Sequence, residues 1–581
     1  MVDDYLSELM KKAKESSNTL DSSPQNPVKN EEVIIKNNQP KILVEDRDEE
    51  IAGTIKQKDM EEFNKKIVEK ETSDEPKIEI NADDAKEKTY VEKKLETAKK
   101  KELAKYGKVT IYEIAGEPMK FYFIPTLRPT SAERKIINTI KEATTRLVSI
   151  APFKVRNPEE RRFLYKQKIT DIINSNPNLK IPPSRLNFYA DAVVREMVGY
   201  GLIDDLIKDD KLEEIMVVGP KKPVYVFHRE FEMMETSIEF FSEQEIEDLI
   251  NKIAREVGRR VDVSNPLLDA RLTDGSRVNA TIPPASISGG TLTIRKFRED
   301  PYSIIDLIRK GTLSSEAAAF LWICIDGMNV KPANMLISGG TGSGKTTLLN
   351  VLAAFISQRE RVLTIEDTAE LSLPLKHWIR MEARPPGLEG TGELRIDILT
   401  KNALRMRPDR IIVGEIRHDE AFTLFTAINT GHDGSLGTVH ANSSQETLVR
   451  VTSPPMNVPK IMLSGLDLII VEHRYHDRKK GTIRRVSEIS EVYGGMTDDV
   501  KTQAIFQRDP VKDVLERTLI NSKYIKTLRD FTGLSKEKFD AELDIRKQFL
   551  EKLVEENIHD LKKVSELAQD FVEKRSYGEN L

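Results

Sequence analysis

The chain has 581 residues, 90 Lys and Arg against 95 Asp and Glu for a net charge of −5, and one cysteine. That length exceeds a single ordinary core and predicts two or three domains. The near-balanced charge offers no global positive field for nucleic acid. One cysteine excludes a disulfide network and any zinc cage built on several thiolates, and Cys324, inside an apolar run, reads as a small buried hydrophobe. No stretch approaches the roughly 18–20 uninterrupted apolar residues of a membrane span, and the acidic Met1–Tyr5 is unlike a signal peptide. A cytoplasmic protein is expected, reaching a membrane only through a partner or a surface patch.

In chain order, residues 1–104 are crowded with Lys, Glu, Asp and Asn and have few aromatics. Such a segment buries too little apolar surface to offset its ordering entropy and reads as a disordered, charged arm, with short helices possible near Asp59–Lys70 and Val91–Tyr106. Order is expected from about Lys108. Val109–Ile114 and Met119–Ile124 are β-rich around a Gly116–Pro118 turn, and Ala132–Ile150, Pro158–Ser175 and Leu186–Val198 carry helical spacing. Residues 213–240 alternate like strands, Ser242–Val257 reads as a charged helix, and Asp269–Phe297 reads as hairpins turning at Asp274-Gly275 and Gly289-Gly290. Residues 105–300 are therefore expected to form an α+β domain with an antiparallel sheet. From 301 to 510 strands alternate with helices, which predicts an α/β domain on a parallel sheet. Residues 511–581 read as a helical, charged C-terminal segment, with Asp540–Glu555 and Ile558–Lys574 as an amphipathic pair capping that domain or forming a docking surface.

The strongest signal is Gly339-Gly340-Thr341-Gly342-Ser343-Gly344-Lys345-Thr346, followed by Thr347. It matches the P-loop pattern and sits between an apolar strand (Met335–Ile337) and a helix (Thr347–Ile356). Glycines let successive backbone N–H groups turn inward around a β-phosphate, and the helix N-terminus adds partial positive charge. Lys345 can reach the β- and γ-phosphates, and the Thr346 hydroxyl can ligate Mg²⁺. ATP and Mg²⁺ are the expected ligands.

Three further strands end in suitable groups: Glu366-Asp367, Gly414-Glu415 and His440. Ligands in open parallel sheets sit at such carboxyl ends. One carboxylate can orient or deprotonate an attacking water, another can hold Mg²⁺ through its waters, and a neutral imidazole can donate to the γ-phosphate. Singly, each residue reads as solvated or packed; together behind a P-loop they read as catalytic with Lys345. Spacing does not decide which glutamate is the base; Glu366 is favoured, with Glu415 on the metal. Arg405 and Arg407, just before the third strand, are candidates for offsetting γ-phosphate charge.

Four boxes, GGTGSGKTT (339–347), TIEDTAEL (364–371), RIIVGEIR (410–417) and GHDGSLGTVHAN (431–442), together with LLDARLTDGSRVNATIPP (267–284), resemble the ATPases of type II and type IV secretion systems, including type IV pilus motors. The resemblance implies a RecA-like ATPase domain after an N-terminal domain, a flexible linker at 298–303, and a hexameric ring. It also implies N-terminal-domain arginines near the nucleotide, here Arg271, Arg277 and Arg295. TSPPMNVPKIMLSGLDLIIVEHRY (452–475) looks most like the archaeal flagellum (archaellum) motor ATPase. One cysteine is at odds with the four-cysteine zinc module of many bacterial members. The resemblance further implies a motor at the inner face of the cytoplasmic membrane, partnered by a polytopic platform protein and cytoplasmic regulators.

An archaeal pilus or secretion ATPase has the same chemistry and a different cargo. A nucleic-acid translocase is disfavoured by the negative charge and the lack of a basic, aromatic stripe, so no nucleic-acid partner is expected. A scaffold that binds ATP without turnover is the remaining alternative.

Overall fold

The computed structural model describes residues 89–577 apart from 126–128, 130, 148–157, 176–180, 298–299, 385, 387–390, 478–480 and 495–498. Two compact units divide after Phe297. The expected arm as far as residue 88, its helix at Asp59–Lys70 and the first two linker positions lie outside the described residues.

The first unit begins inside the segment expected to be an arm. Helix α1 (Tyr90–Thr97) is capped by Thr89, and strand β1 (Lys100–Tyr106) follows. The single helix expected over Val91–Tyr106 therefore stops halfway. KKELAKY favours a helix locally, but its backbone pairs antiparallel with β2 (Val109–Ile114), and the Tyr106 hydroxyl donates to Asp209 at 2.8 Å. Tertiary pairing overrides propensity here. Val91 and Leu95 of α1 bury against Ile114 and Phe121, which brings order to a stretch of low average hydrophobicity.

Strand β3 (Lys120–Phe123) precedes three helices, α2 (Ser131–Leu147), α3 (Pro158–Ser175) and α4 (Pro183–Met197), which share a core of Ile137, Ile140, Ile169 and Val193. After a short α5 (Asp204–Ile207) come β4 (Leu212–Val217), β5 (Pro223–His228), β6 (Glu232–Glu239), α6 (Glu243–Glu256), β7 (Leu267–Arg271), β8 (Arg277–Thr281) and β9 (Thr291–Arg295). The nine strands form one sheet in the order β1-β2-β3-β6-β5-β4-β9-β8-β7, antiparallel except at β3–β6. Ile246, Leu249, Ile250 and Ile253 of α6 recur at helical spacing and bury in the sheet's core, which is why this highly charged helix is stable.

The second unit comprises α7 (Ile304–Arg309), α8 (Ser315–Asp326), β10 (Met335–Ser338), α9 (Lys345–Ala353), β11 (Val362–Glu366), β12 (Trp378–Glu382), α10 (Ile396–Ala403), β13 (Arg410–Ile416), α11 (Glu420–Asn429), β14 (Leu436–Val439), α12 (Ser444–Thr452), β15 (Leu468–Asp477), β16 (Gly481–Tyr493), β17 (Lys501–Asp509), β18 (Val514–Arg517), α13 (Lys523–Thr532), α14 (Lys536–Glu555) and α15 (Leu561–Tyr577). The sheet order is β12-β11-β13-β14-β10-β15-β16-β17-β18, parallel as far as β15 and antiparallel beyond. Setting aside edge strand β12, the parallel strands run second-third-fourth-first-fifth, the RecA-like arrangement. The parallel strands β10, β11, β13 and β14 are buried along almost their whole length because helices cover both faces.

The C-terminal segment is not wholly helical. β18 joins the sheet, and α14 and α15 bury Phe549, Leu550, Leu553 and Phe571 in the same core as α8. Trp322 stacks on Phe355 at 5.0 Å and packs against Phe549 and Phe571. Arg546 lies over the Trp322 ring, pairs with Asp326, and donates to Glu542 at 2.9 Å with almost no exposure. Cys324 is fully buried on the same helix.

Removing Arg546 takes the cationic partner from buried Asp326, while Glu542 keeps Arg575 at 2.7 Å, so Arg546→Ala should lower the stability of this unit by about 3 kcal/mol in chemical denaturation, monitored by tryptophan fluorescence.

Candidate active site

β10 is hydrogen-bonded in parallel to β14 on one side and β15 on the other, with Ser338 level with Val439 and Val471. The chain leaves this buried strand as the glycine loop and continues into α9, whose N-cap is Gly344. Gly342 and Gly344 have φ of +70° and +113°. A side chain is strained at both positions, and at Gly344 a Cβ would also lie 2.6 Å from Glu472 Oε1. Lys345 Nζ donates to the carbonyls of Gly339 and Gly340, each at 2.9 Å, spanning the mouth of its own loop. Thr346 is half-buried one residue further on.

The tips of β11, β13 and β14 flank this loop. Glu366 ends β11 with 2% of its surface exposed, and Oε2 accepts from the backbone N–H of Glu370 at 2.7 Å and Leu371 at 2.9 Å. Burial pushes its carboxyl up to about 7 despite those two donors. It stands over Gly414, where a Cβ would come within 2.9 Å of Glu366 Cγ; glycine in the GE pair is therefore a packing requirement. Just beyond, the register of β13 on β14 slips between Val413 and Ile416, and Glu415 falls in that irregularity.

Glu415 Oε2 accepts from Arg417 Nη2 at 2.7 Å, and Oε1 lies 3.5 Å from His440 Nε2. Burial pushes this carboxyl up, but Arg417, His440 and Lys345 together hold it below its usual range, so it is charged. Burial and Lys345 push the His440 imidazole down against the pull of Glu415, so it is neutral near pH 7. The two glutamates are thus tuned oppositely: one resists ionisation and the other holds its charge.

Four buried side-chain oxygens gathered here have no hydrogen-bond partner: Ser343 Oγ, Glu366 Oε1, Glu415 Oε1 and Glu472 Oε2. Buried polar atoms are otherwise almost always paired, so this concentration marks a site built for something else. The oxygen donors on hand, the Thr346 hydroxyl and the Glu415 carboxylate, suit a hard cation. Among the described residues no group of three His, Cys, Asp or Glu could hold a metal by itself. Mg²⁺ at such a loop needs none, because phosphate oxygens and water fill most of its octahedron.

The arginines distribute differently from expectation. Arg405 and Arg407 stand exposed before the first residue of β13, at the opposite end of that strand from the glycine loop, so they do not join the site of their own chain. The run is arginine-rich for another reason. Arg410 is buried, donates to the Ile325 carbonyl at 2.7 Å and to Glu360 at 2.8 Å, and ties β13 to the end of α8. In the first unit, Arg271 pairs opposite Arg277, and Arg277 opposite Arg295, placing all three in one row across β7, β8 and β9. Residues at the loop that were not singled out from sequence include Arg417, inside a quoted box, Glu472, whose burial follows from the β10–β15 register, and Arg484, which donates to the Gly342 carbonyl.

The family model described as "Type II/IV secretion system protein" matches residues 196–556. The chain belongs to that family. An uncharacterized protein of Methanocaldococcus jannaschii is 33% identical, with 80% of this chain and 84% of that protein covered. The type IV secretion system protein VirB11 of Bartonella henselae is 32% identical over 43% of this chain and 78% of its own. Among solved structures, the Legionella pneumophila ATPase DotB matches at 18% identity and a TM-score of 0.37, covering 60% of this chain and 86% of that one. The type II/IV secretion family match spans most of the first unit's sheet as well as the glycine loop and all three flanking strand tips.

Because Glu366 is protonated in the fold at pH values where the unfolded chain ionises it, stability falls as pH rises from about 4.5 to about 7. Glu366→Gln lacks this penalty and should be more stable than the parent at pH 8, by at most about 3 kcal/mol, while matching it at pH 4.

Proposed function

We propose that this chain is an ATP-hydrolysing motor that drives assembly and rotation of an archaellum, a type IV pilus-like filament, at the inner face of the cytoplasmic membrane. What supports the hydrolytic reading is that Glu415 and His440 meet beside Lys345 of the glycine loop, with Glu366 at the tip of the strand next to that of Glu415. The loop N–H groups and α9's N-terminus take the phosphates, and Lys345 leaves its own carbonyls for their charge.

Glu366 is the general base. Its unpaired Oε1 is free to accept a proton from water, and its affinity for that proton is matched to neutral pH. Thr346 would hold Mg²⁺ directly and Glu415 through water, and the metal would supply charge neutralisation at the phosphates. His440, neutral, donates to the γ-phosphate and loses that acceptor on hydrolysis, while Glu415 remains charged beside it. This charge change is what a motor can transmit. A homo-hexamer, with the row of Arg271, Arg277 and Arg295 supplying phosphate-directed charge, completes the reading.

The likeness of 452–475 to the archaellum motor supports the cargo. No described helix is long and apolar enough to cross a membrane, so the load is reached through a polytopic platform protein. A pilus or secretion cargo is the second reading, favoured by the VirB11 relative. Co-purification with a filament platform, and loss of swimming with retention of surface pili on deletion, support the first; the reverse pattern supports the second.

Lys345→Ala should abolish nucleotide-dependent activity. Glu366→Ala should leave ATP binding within about threefold of the parent and cut phosphate release by about 10²-fold or more. In the unsubstituted protein, turnover should rise with pH through about 7 as Glu366 deprotonates. Loss of binding in Glu366→Ala would remove its role as base.

A further inference from the structure

The antiparallel ribbon β15–β16 brings charged residues to the glycine loop from the side opposite His440. Because β15 pairs in register with β10 as far as Val471 and Ser338, Glu472 is the residue that emerges beside Gly339. A Cβ at Gly339 would lie 2.2 Å from the Glu472 carbonyl oxygen, and one at Gly344 would lie 2.6 Å from its Oε1. One residue therefore backs both the first and last glycines of the loop.

The pairing of β15 with β16 shifts at Val471/Glu472, and beyond the shift Arg474 stands directly opposite Arg484. Arg484 Nε donates to the Gly342 carbonyl at 3.0 Å, and Arg474 Nη1 lies 3.0 Å from where a Gly342 Cβ would be. Glu472 supports the loop from beneath while the arginines hold its lip. Glu472 is 2% exposed, and its Oε2 has no hydrogen-bond partner. Such an atom survives burial only where the surrounding structure gains from its position. Two arginines facing each other across a strand pair repel unless an anion is near.

We propose that Glu472 is a positioning residue for the glycine loop, setting with Arg484 the loop shape that receives the phosphate groups of a nucleotide. This rests on the nucleotide reading of the loop. The carboxyl fills the space under Gly344 and fixes the direction of the first N–H groups of α9. Arg484, through the Gly342 carbonyl, keeps the lip from collapsing inward. The role concerns binding more than the chemical step, because the strand tips that carry Glu366, Glu415 and His440 lie across β10 from this ribbon.

The test uses the full chain and three variants, Glu472→Ala, Glu472→Gln and Arg484→Ala. ADP affinity is measured by calorimetry, and ATP turnover by phosphate release. Glu472→Ala, which empties the space, should raise the ADP Kd and the ATP KM by about tenfold, with kcat changed less than about threefold. Glu472→Gln, which keeps length and an acceptor, should restore affinity to the parent level or better. Arg484→Ala, at a half-buried position outside the apolar core, should weaken ADP by about threefold and tests the idea even where Glu472→Ala fails to fold.

Parent-like affinity in Glu472→Ala or in Arg484→Ala overturns the inference. So does equal weakening in Glu472→Gln and Glu472→Ala, or a loss confined to kcat. If the unsubstituted chain binds ADP and hydrolyses ATP while these variants match it, only this inference falls. If the unsubstituted chain binds no ADP, the nucleotide reading and this inference fall together.

Discussion

The parallel hydrogen bonding of β10 to β14 and β15 is the constraint on which the rest depends. Parallel strands in register end at the same level, so whatever follows each strand is delivered to one edge of the sheet. Here that edge receives a glycine loop, two glutamates, a histidine and a buried carboxylate from five stretches of chain. Backbone crowding then dictates residue type. Gly344 leaves room for Glu472, and Gly414 leaves room for Glu366.

The electrostatics of the edge follow from depth and neighbours. Glu366 is deeply buried, and that burial outweighs two backbone donors and the pull of Arg380, so its charged form is penalised. Glu415, a strand away, faces Arg417, His440 and Lys345 and is held ionised. Two carboxylates of the same chemical type are thereby separated in proton affinity by their surroundings. The cost of burying so many polar atoms unpaired is borne by the apolar layers on either side of the sheet, where most side chains are fully excluded from water.

Much of this was legible in the sequence. Residues 339–346 have one physical meaning when they stand between an apolar strand and a helix, and Glu366, Glu415 and His440 follow from the rule that strand ends face ligands. What stayed hidden depended on partners distant in sequence. Lys100–Tyr106 reads as helix until β2 is beside it. Glu472 reads as one charge in IIVEHRY until the register of β15 places it under the loop. Arg405 and Arg407 were near the site in sequence but not in space, because a strand of seven residues separates them from its tip. The C-terminal helices read from sequence as either a cap or a docking surface, and only α8 reveals what their apolar stripes bury.

That burial has a consequence for how the chain is made. Asp326 at the end of α8 waits for Arg546, 220 positions later, and Trp322 waits for Phe549 and Phe571. α8 and β10 leave the ribosome before the segments that cover them, with the apolar run Ala317–Ile325 exposed, and the sheet's covering layer closes only when nearly the entire unit has been synthesised. Contacts of such sequence separation slow folding and leave sticky surface uncovered meanwhile. Synthesis of this protein therefore presents a window in which chaperone capture of residues 315–326 competes with aggregation, and the last helices to appear are the ones that close it.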